Sequence, residues 1–351
     1  MPSINKPLIP LAALPTNEIG LTVRDYEGSM STLCAGCGHD SVTAAIVRTL
    51  FELSIPPHKV VKLSGIGCSS KTTAYFDSAA HGFNSAHGRM APIATGANAA
   101  NRDVLYIGIS GDGDSLSIGA GHMVHAIRRN VHMVYVIENN GVYGLTKGQF
   151  SASADIGSAA KHGEANTVAP VDPVMLALSL GASFVARSFS GDKEQLVPIL
   201  KAAAQHRGLA LIDVISPCVQ FNNHYGSTKS YRYVREHELR EIDPDFISTG
   251  HEIVADLPRD GAMTVAMHDG GLVRFRTLPA DYDPTDREAA MHYVNRAHAR
   301  GEIPTGLLFV DESVPDVHEL NHTSETPLVE LPFDDLCPGS AELEALQQSF
   351  V

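Results

Sequence analysis

Two spacings of apolar residues take turns along this chain. Over residues 41–54, SVTAAIVRTLFELS, apolar side chains recur every three or four positions, which predicts a helix from His39 that stops before Pro56-Pro57. The run VVKLSGIGC at 60–68 is continuous and ends in a glycine turn, as expected of a strand buried on both faces. The alternation then repeats. Helix Met90–Ala100 and strand Val104–Ser110 are followed by a helix over 118–130 and strand Val131–Ile137. Helix Pro173–Leu180, strand Ser183–Ser188, helix Gln195–His206 and strand Ala210–Ile215 complete the series. Strands alternating with helices imply right-handed crossovers, hence an α/β fold with a doubly wound, mostly parallel sheet. Ligands in such sheets bind beyond the carboxyl ends of the strands.

Outside residues 29–235 the pattern weakens. Residues 1–28 read as an N-terminal arm. Residues 236–351 read as a less regular C-terminal extension, packed on the core or on a partner subunit, with one helix (286–300) and one short strand (306–311). Residues 311–343 carry many carboxylates and no Lys or Arg, as a solvated or partner-wrapping segment would.

Composition narrows the classes. The chain has 351 residues, 44% of them hydrophobic, and no apolar run of membrane-spanning length. A formal net charge of −14 argues against non-specific nucleic-acid binding, which needs Lys and Arg to neutralise phosphates. The opening MPSINKPLIPLAALP has neither a basic run nor a sustained apolar core, so a cytoplasmic protein is expected.

The chemistry concentrates at strand ends. GDGDS at 111–115 closes one apolar run, and NNG at 139–141 closes the next; Asp112 and Asn140 are 28 positions apart. An Asp and an Asn on adjacent strand-end loops suit one hard cation, and the glycines let backbone approach a phosphate. That combination fits a Mg²⁺-bridged diphosphate and is the pattern of thiamine diphosphate enzymes. Five cysteines form a second set: Cys34 and Cys37 in LCAGCGH, Cys68 in SGIGCSS, Cys218 in SPCV, and Cys337 without a motif. An odd count without a secretory signal argues against a disulfide framework. A CxxC with two distant cysteines fits a four-thiolate metal site, zinc or iron–sulfur.

Taken in order, LCAGCGH, SGIGCSS, HGR, GDGDS, RRN, NNGVYGLTKGQ and SPCV closely resemble the β subunit of 2-oxoacid:ferredoxin oxidoreductases, over roughly residues 34–233. The tail resembles that of the longer β subunits assigned to 2-oxoglutarate. The resemblance implies that Asp112, Asn140 and the Val142 carbonyl hold Mg²⁺. It implies that Ile66, Gly67, Cys68, Ser69, His87, Gly113, Asp114, Gly144 and Leu145 line thiamine diphosphate, and that Cys34, Cys37, Cys68 and Cys218 hold one [4Fe–4S] cluster. His87 with Arg89 is placed at the diphosphate, and Lys71 and Lys147 at the substrate, where a dicarboxylate needs a second cationic contact.

The reaction so implied is oxidative decarboxylation of a 2-oxoacid, with coenzyme A taking the acyl group and ferredoxin the electrons. Thiamine enzymes use a Glu against the cofactor's aminopyrimidine, often from a facing domain. This chain has no second thiamine-type domain, so an α subunit is expected to supply that Glu. Pyruvate is the alternative substrate, and a zinc-stapled, non-enzymatic α/β module is the alternative class. His122 and His125, three apart on a helix, read as packing residues. Docking an acidic ferredoxin on this acidic chain would take a basic patch, for which Arg128 and Arg129 are candidates, or else a surface of the α subunit.

Overall fold

The computed structural model describes residues 14–158, 165–224, 227–241, 262–266, 272–276, 282–337 and 339–350. Its centre is made by the segments that have no polar face. Strands β1 (Val60–Ser64), β2 (His81–Asn84), β3 (Leu105–Gly111) and β4 (Met133–Asn139) precede a small antiparallel hairpin, β5 (Val142–Tyr143) and β6 (Gln149–Phe150). Then come β7 (Phe184–Phe189) and β8 (Leu209–Ile215). Six of these strands lie parallel in the order β7-β8-β4-β3-β1-β2. Every residue of β4, β7 and β8 is buried, because helices cover both faces.

The helices divide between those faces. Helices α1 (Gly38–Glu52), α2 (Thr72–Tyr75), α3 (Met90–Ala100), α4 (Ala120–Arg128), α5 (Pro173–Leu180) and α6 (Lys193–Gln205) connect the strands. Val42, Ile46 and Leu50 of α1 and Leu196 and Leu200 of α6 pack on Val134, Val136, Ala210 and Ile212. Met90 and Ala94 of α3, Met123 and Ile127 of α4, and Val174 and Leu178 of α5 pack on Tyr135, Ile137 and Leu211. Each such aliphatic side chain contributes about 1.5–3 kcal/mol relative to exposure. The ends are set locally: Asp172 accepts the N–H groups of Val174 and Met175 to start α5, and Gly181, at φ +82°, ends it.

Three features differ from the expectation. Strand β2, exposed throughout, has no apolar signature, yet it pairs with β1 at the sheet edge. A π-helical turn at Asp114–Ile118 delays α4 to Ala120. The extension is more regular than the single strand and helix expected. Strands β9 (Glu238–Glu241), β10 (Ala262–Ala266), β11 (Leu272–Arg276) and β12 (Ile303–Val310) continue the same sheet, accompanied by helices α7 (Tyr231–His237) and α8 (Arg287–Ala299). Strand β12 lies antiparallel to β7, and Ala290 and Val294 of α8 reach the core. Short strands hide in sequence because the neighbouring strands of the sheet complete them.

Residues 1–13 of the expected arm lie outside the described residues. The rest is seated: Tyr26 is fully buried, its hydroxyl accepts from Asn17 at 2.9 Å, and the Gly28 N–H donates to the Tyr75 carbonyl at 2.9 Å. Among the described residues no helix is long and apolar enough to cross a membrane. From β1 the chain goes outward to β2 and then returns past β1 to β3, so the winding reverses about β1. Reversals of this kind open the ligand crevice of α/β sheets.

Candidate active site

Beyond Gly111, the last residue of β3, stands Asp112, and beyond Asn139, the last of β4, stands Asn140. Asp112 is 1% exposed. One carboxylate oxygen accepts the Gly141 N–H at 3.1 Å and the hydroxyls of Ser151 and Ser153; the other accepts the Asn140 N–H at 3.4 Å. Burial pushes this carboxyl up against those donors, and Lys229, whose field lowers it, is itself paired with Asp155 at 3.8 Å. A buried carboxylate with hydroxyl and amide donors and no ion-pair partner is a donor set for a hard cation. Asn140 closes its own turn, its side-chain oxygen accepting the Val142 N–H at 3.0 Å, while its carbonyl accepts from Asn222 at 2.8 Å. Gly141 is required there: φ is +75° and a Cβ would stand 2.6 Å from the Asn222 amide nitrogen.

Asp114 knits the surrounding loops together. Its carboxylate accepts the Gly88 N–H at 2.6 Å, the Ser110 hydroxyl at 2.8 Å and the Ile66 N–H at 3.3 Å. One side chain thus fixes the loops after β1, β2 and β3. Ile66, Gly67, Cys68 and Ser69 form the first of these, with the Ser69 hydroxyl donating to the Ile66 carbonyl at 3.1 Å. His87 and Arg89 are exposed on the second, and the Arg89 guanidinium donates to the His87 carbonyl at 3.2 Å. Gly113 packs so closely under Tyr143 that a Cβ would meet its ring at 2.5 Å, and the Tyr143 hydroxyl donates to the Gly113 carbonyl at 2.9 Å.

The thiols gather beside the same loop. A Cβ on Gly144 would lie 3.5 Å from the sulfurs of both Cys68 and Cys218. The turn carrying Cys34 and Cys37 folds onto the Cys218 segment: the Cys37 N–H donates to the Cys34 carbonyl at 3.0 Å and the Gly38 N–H to the Pro217 carbonyl at 3.4 Å. All are free thiols. Burial pushes the Cys37 thiol up to about 12 and raises Cys68, with Cys218 and Cys34 adding to the effect on Cys68. Among the described residues no three of these sulfurs lie within 4.8 Å of one another. A tetrahedral zinc would hold its four sulfurs about 3.8 Å apart.

Other expected residues are more open. Leu145 is 50% exposed, Lys147 is exposed at φ +77°, and Lys71 is half-buried, close enough to Cys68 to lower its thiol. Cys337 is exposed in the tail and joins none of this. Arg128, the last residue of α4, and Arg129 after it are exposed, and His125 lies 3.4 Å from the Arg128 guanidinium.

Sequence reasoning missed several groups. Ser151 and Ser153, the hydroxyls on Asp112, are signalled only by an SxS just after β6. His39 and Glu138 are fully buried 3.4 Å apart, His39 contacting the Ser216 hydroxyl at 2.6 Å and Glu138 accepting from Thr72 at 3.0 Å. Burial lowers His39 to about 4 and raises Glu138 well above the usual carboxylate range, pushing each towards its uncharged form. A polar chain also runs sideways: the Asn139 amide donates to Asp213 at 2.9 Å, and Arg187 donates to Asp213 at 2.8 Å and to Asp172 at 2.7 Å.

A parallel sheet with Asp112 and Asn140 at its carboxyl edge defines a domain of the thiamine diphosphate-binding class. Residues 65–214 match the family described as thiamine pyrophosphate enzyme, C-terminal TPP binding domain. The chain is 42% identical over 214 residues to a 2-oxoacid:ferredoxin oxidoreductase subunit beta of Saccharolobus solfataricus, covering 61% of this chain and 69% of that one. It is 39% identical over 214 residues to the 2-oxoglutarate oxidoreductase subunit KorB of Mycobacterium tuberculosis, covering 60% of this chain but only 57% of that relative. A solved 2-oxoglutarate:ferredoxin oxidoreductase from Magnetococcus marinus, with 2-oxoglutarate, coenzyme A and succinyl-CoA bound, superposes with a TM-score of 0.71 at 30% identity. That likeness covers 87% of this chain and 90% of the other. The chain belongs to the β subunits of the 2-oxoacid:ferredoxin oxidoreductases.

Proposed function

We propose that this chain is the cofactor-binding β subunit of an enzyme that oxidatively decarboxylates 2-oxoglutarate, giving acyl-CoA and CO₂, and passes the electrons through a [4Fe–4S] cluster to ferredoxin. The observation that carries this reading is that one loop serves both donor sets. Asn140 stands at its start, and Gly144 within it faces the sulfurs of Cys68 and Cys218. Bound thiamine diphosphate supplies a carbon nucleophile and electron sink, and a cluster accepts single electrons.

The residues fit these groups. Asp112, Asn140 and the Val142 carbonyl would hold Mg²⁺; Ser151, Ser153 and Gly141 fix the carboxylate's orientation before the ion arrives. Gly113 and Gly88 let the Tyr143 ring and the Gly119 backbone pack directly against the loops that carry the site. His87 and Arg89, exposed beside it, are suited to the diphosphate oxygens. Cys34, Cys37, Cys68 and Cys218 would hold the cluster, whose metal would have to draw the protons off Cys37 and Cys68 against the burial that raises them. Lys147 and Lys71 supply cations for a dicarboxylate. The 2-oxoglutarate and coenzyme A named for the Magnetococcus structure support that substrate pair. The activating Glu is assigned to an α subunit.

The test is anaerobic co-purification with the α subunit, followed by iron, sulfide, zinc and thiamine analysis and low-temperature EPR after dithionite. About four irons and four sulfides per chain with bound thiamine, and turnover of 2-oxoglutarate above pyruvate, are expected. Zinc without iron or thiamine would overturn it in favour of a structural module.

A further inference from the structure

A second group of ligand-type side chains meets at the opposite end of β4 from Asn140. His132 immediately precedes that strand, while Asp316 and His318 come from the acidic extension. One ligand atom of each lies within 4.8 Å of the other two. The seven residues of β4, at about 3.3 Å each, put this group roughly 23 Å from the cofactor edge.

The side chains are arranged as ligands rather than as partners of one another. His318 is 2% exposed; its Nδ1 meets the Thr323 hydroxyl at 2.7 Å, and its Nε2 is buried without a hydrogen-bond partner. An imidazole nitrogen left bare in the interior is costly unless something takes its lone pair. Asp316 is 3% exposed. Its Oδ1 accepts the N–H groups of His318 at 2.8 Å and Glu319 at 2.9 Å, which leaves Oδ2 available. The segment is held in place independently. The Asn130 amide donates to the carbonyls of Val314 at 3.3 Å and Pro315 at 3.2 Å, and the Val317 N–H donates to the Asn130 carbonyl at 3.2 Å.

We propose that His132, Asp316 and His318 bind a zinc-class divalent cation that clips the acidic extension to the amino-terminal end of β4. Two imidazoles and one carboxylate, with a fourth position left to water, are the nitrogen–oxygen set zinc takes in proteins. Thr323 orients the His318 ring through its other nitrogen, the support that ligating histidines ordinarily have. Burial is the largest influence on both imidazoles and lowers them, while Asp316 acts the other way on each. Arg207 is exposed and faces Glu319 at 3.9 Å, which offsets part of its charge. The site shares no ligand with Asp112 or the four thiols, so it stands apart from the function proposed above.

Because thiolates also take zinc, the test distinguishes the two sites by spectrum. The full chain, purified anaerobically and dialysed, is titrated with Co²⁺ and then with Zn²⁺. About one Co²⁺ per chain is expected to show visible d–d bands without sulfur-to-metal charge transfer in the near ultraviolet. Zinc should displace it and raise the Tm by about 3–5 °C. H318Q and D316N should each bind at least about tenfold more weakly and lose the shift. Asn at 316 can still accept the His318 and Glu319 N–H groups that start the short helix Val317–Asn321, so D316N keeps the local fold. A wild-type chain with neither the nitrogen–oxygen spectrum nor a zinc shift overturns the proposal. So does H318Q binding as tightly as wild type, or a spectrum showing thiolate binding alone.

Discussion

Arg187 and Asp213 are register partners on neighbouring parallel strands, and the guanidinium Nε donates to Asp213 Oδ2 at 2.8 Å with both side chains buried. The same guanidinium holds Asp172, the cap of α5, at 2.7 Å, and Asp213 accepts from Asn139 beside the Asp112 site. Arg187→Met would leave the buried Asp213 and the half-buried Asp172 without their cation and should destabilise the fold by about 3 kcal/mol. Denaturant unfolding checks this. Arg187→Lys should fall between, because an ammonium cannot bridge both acids as a planar fork does.

Asp172 makes a pH prediction with a definite sign. Burial alone would raise its carboxyl, but the charge and hydrogen bonds of Arg187 hold it below the ordinary 3.8. The unfolded chain therefore takes up this proton first as pH falls below 3.8, and stability drops there. Asp172→Asn should flatten that acid limb while lowering stability at neutral pH. His206 acts higher on the scale: burial lowers it, so the unfolded chain gains a proton below 6.5 that the folded one refuses. His206→Gln should reduce the loss of stability on acidification from pH 7, read as unfolding free energy against pH.

Ser151 and Ser153 orient Asp112 and touch nothing else in the proposed Mg²⁺ set. Replacing either by Ala should weaken Mg²⁺-dependent retention of thiamine diphosphate by about 10–100-fold. Bound thiamine after desalting, measured across a Mg²⁺ series, reads this directly. Unchanged retention in both variants would remove them from the site.

Gly144→Ala tests the thiol side. Its φ is not in the left-handed region, and the added Cβ meets Cys68 and Cys218 only at ordinary contact distance, 3.5 Å. The fold should survive within about 0.5 kcal/mol, the range of a tolerated surface change. Iron content should fall, because a methyl then occupies the space between two cluster ligands.

Lys147→Ala should raise the KM for 2-oxoglutarate more than that for pyruvate, since only the former carries a distal carboxylate. Lys147 sits at φ +77°, so Lys147→Gly should be more stable than Lys147→Ala by about 1 kcal/mol. An equal loss for both substrates would sink the role of this lysine in selectivity.

The strand-end loops were legible in the sequence because apolar runs mark where strands stop, and Asp112 and Asn140 stand just past two such stops. What escaped is what sheet order brings together. Nothing local joins Asn139 to Asp213, or Asp213 to Arg187; they meet because β4, β8 and β7 are neighbours. His39 and Glu138 look like solvent-facing polar residues until the packing of α1 over the strand ends buries them. Strand β2 has no apolar face to read, and its pairing with β1 alone defines it. The extension looked sparse because its strands complete a surface begun elsewhere in the chain.

The loop of residues 140–148 has a consequence for maturation. In the proposed function this loop meets both guests, so whichever binds first would hold it in the conformation that the other needs. Iron loading and vitamin loading should therefore rise and fall together from one preparation to the next. A cell short of either would accumulate chains empty of both rather than half-furnished ones.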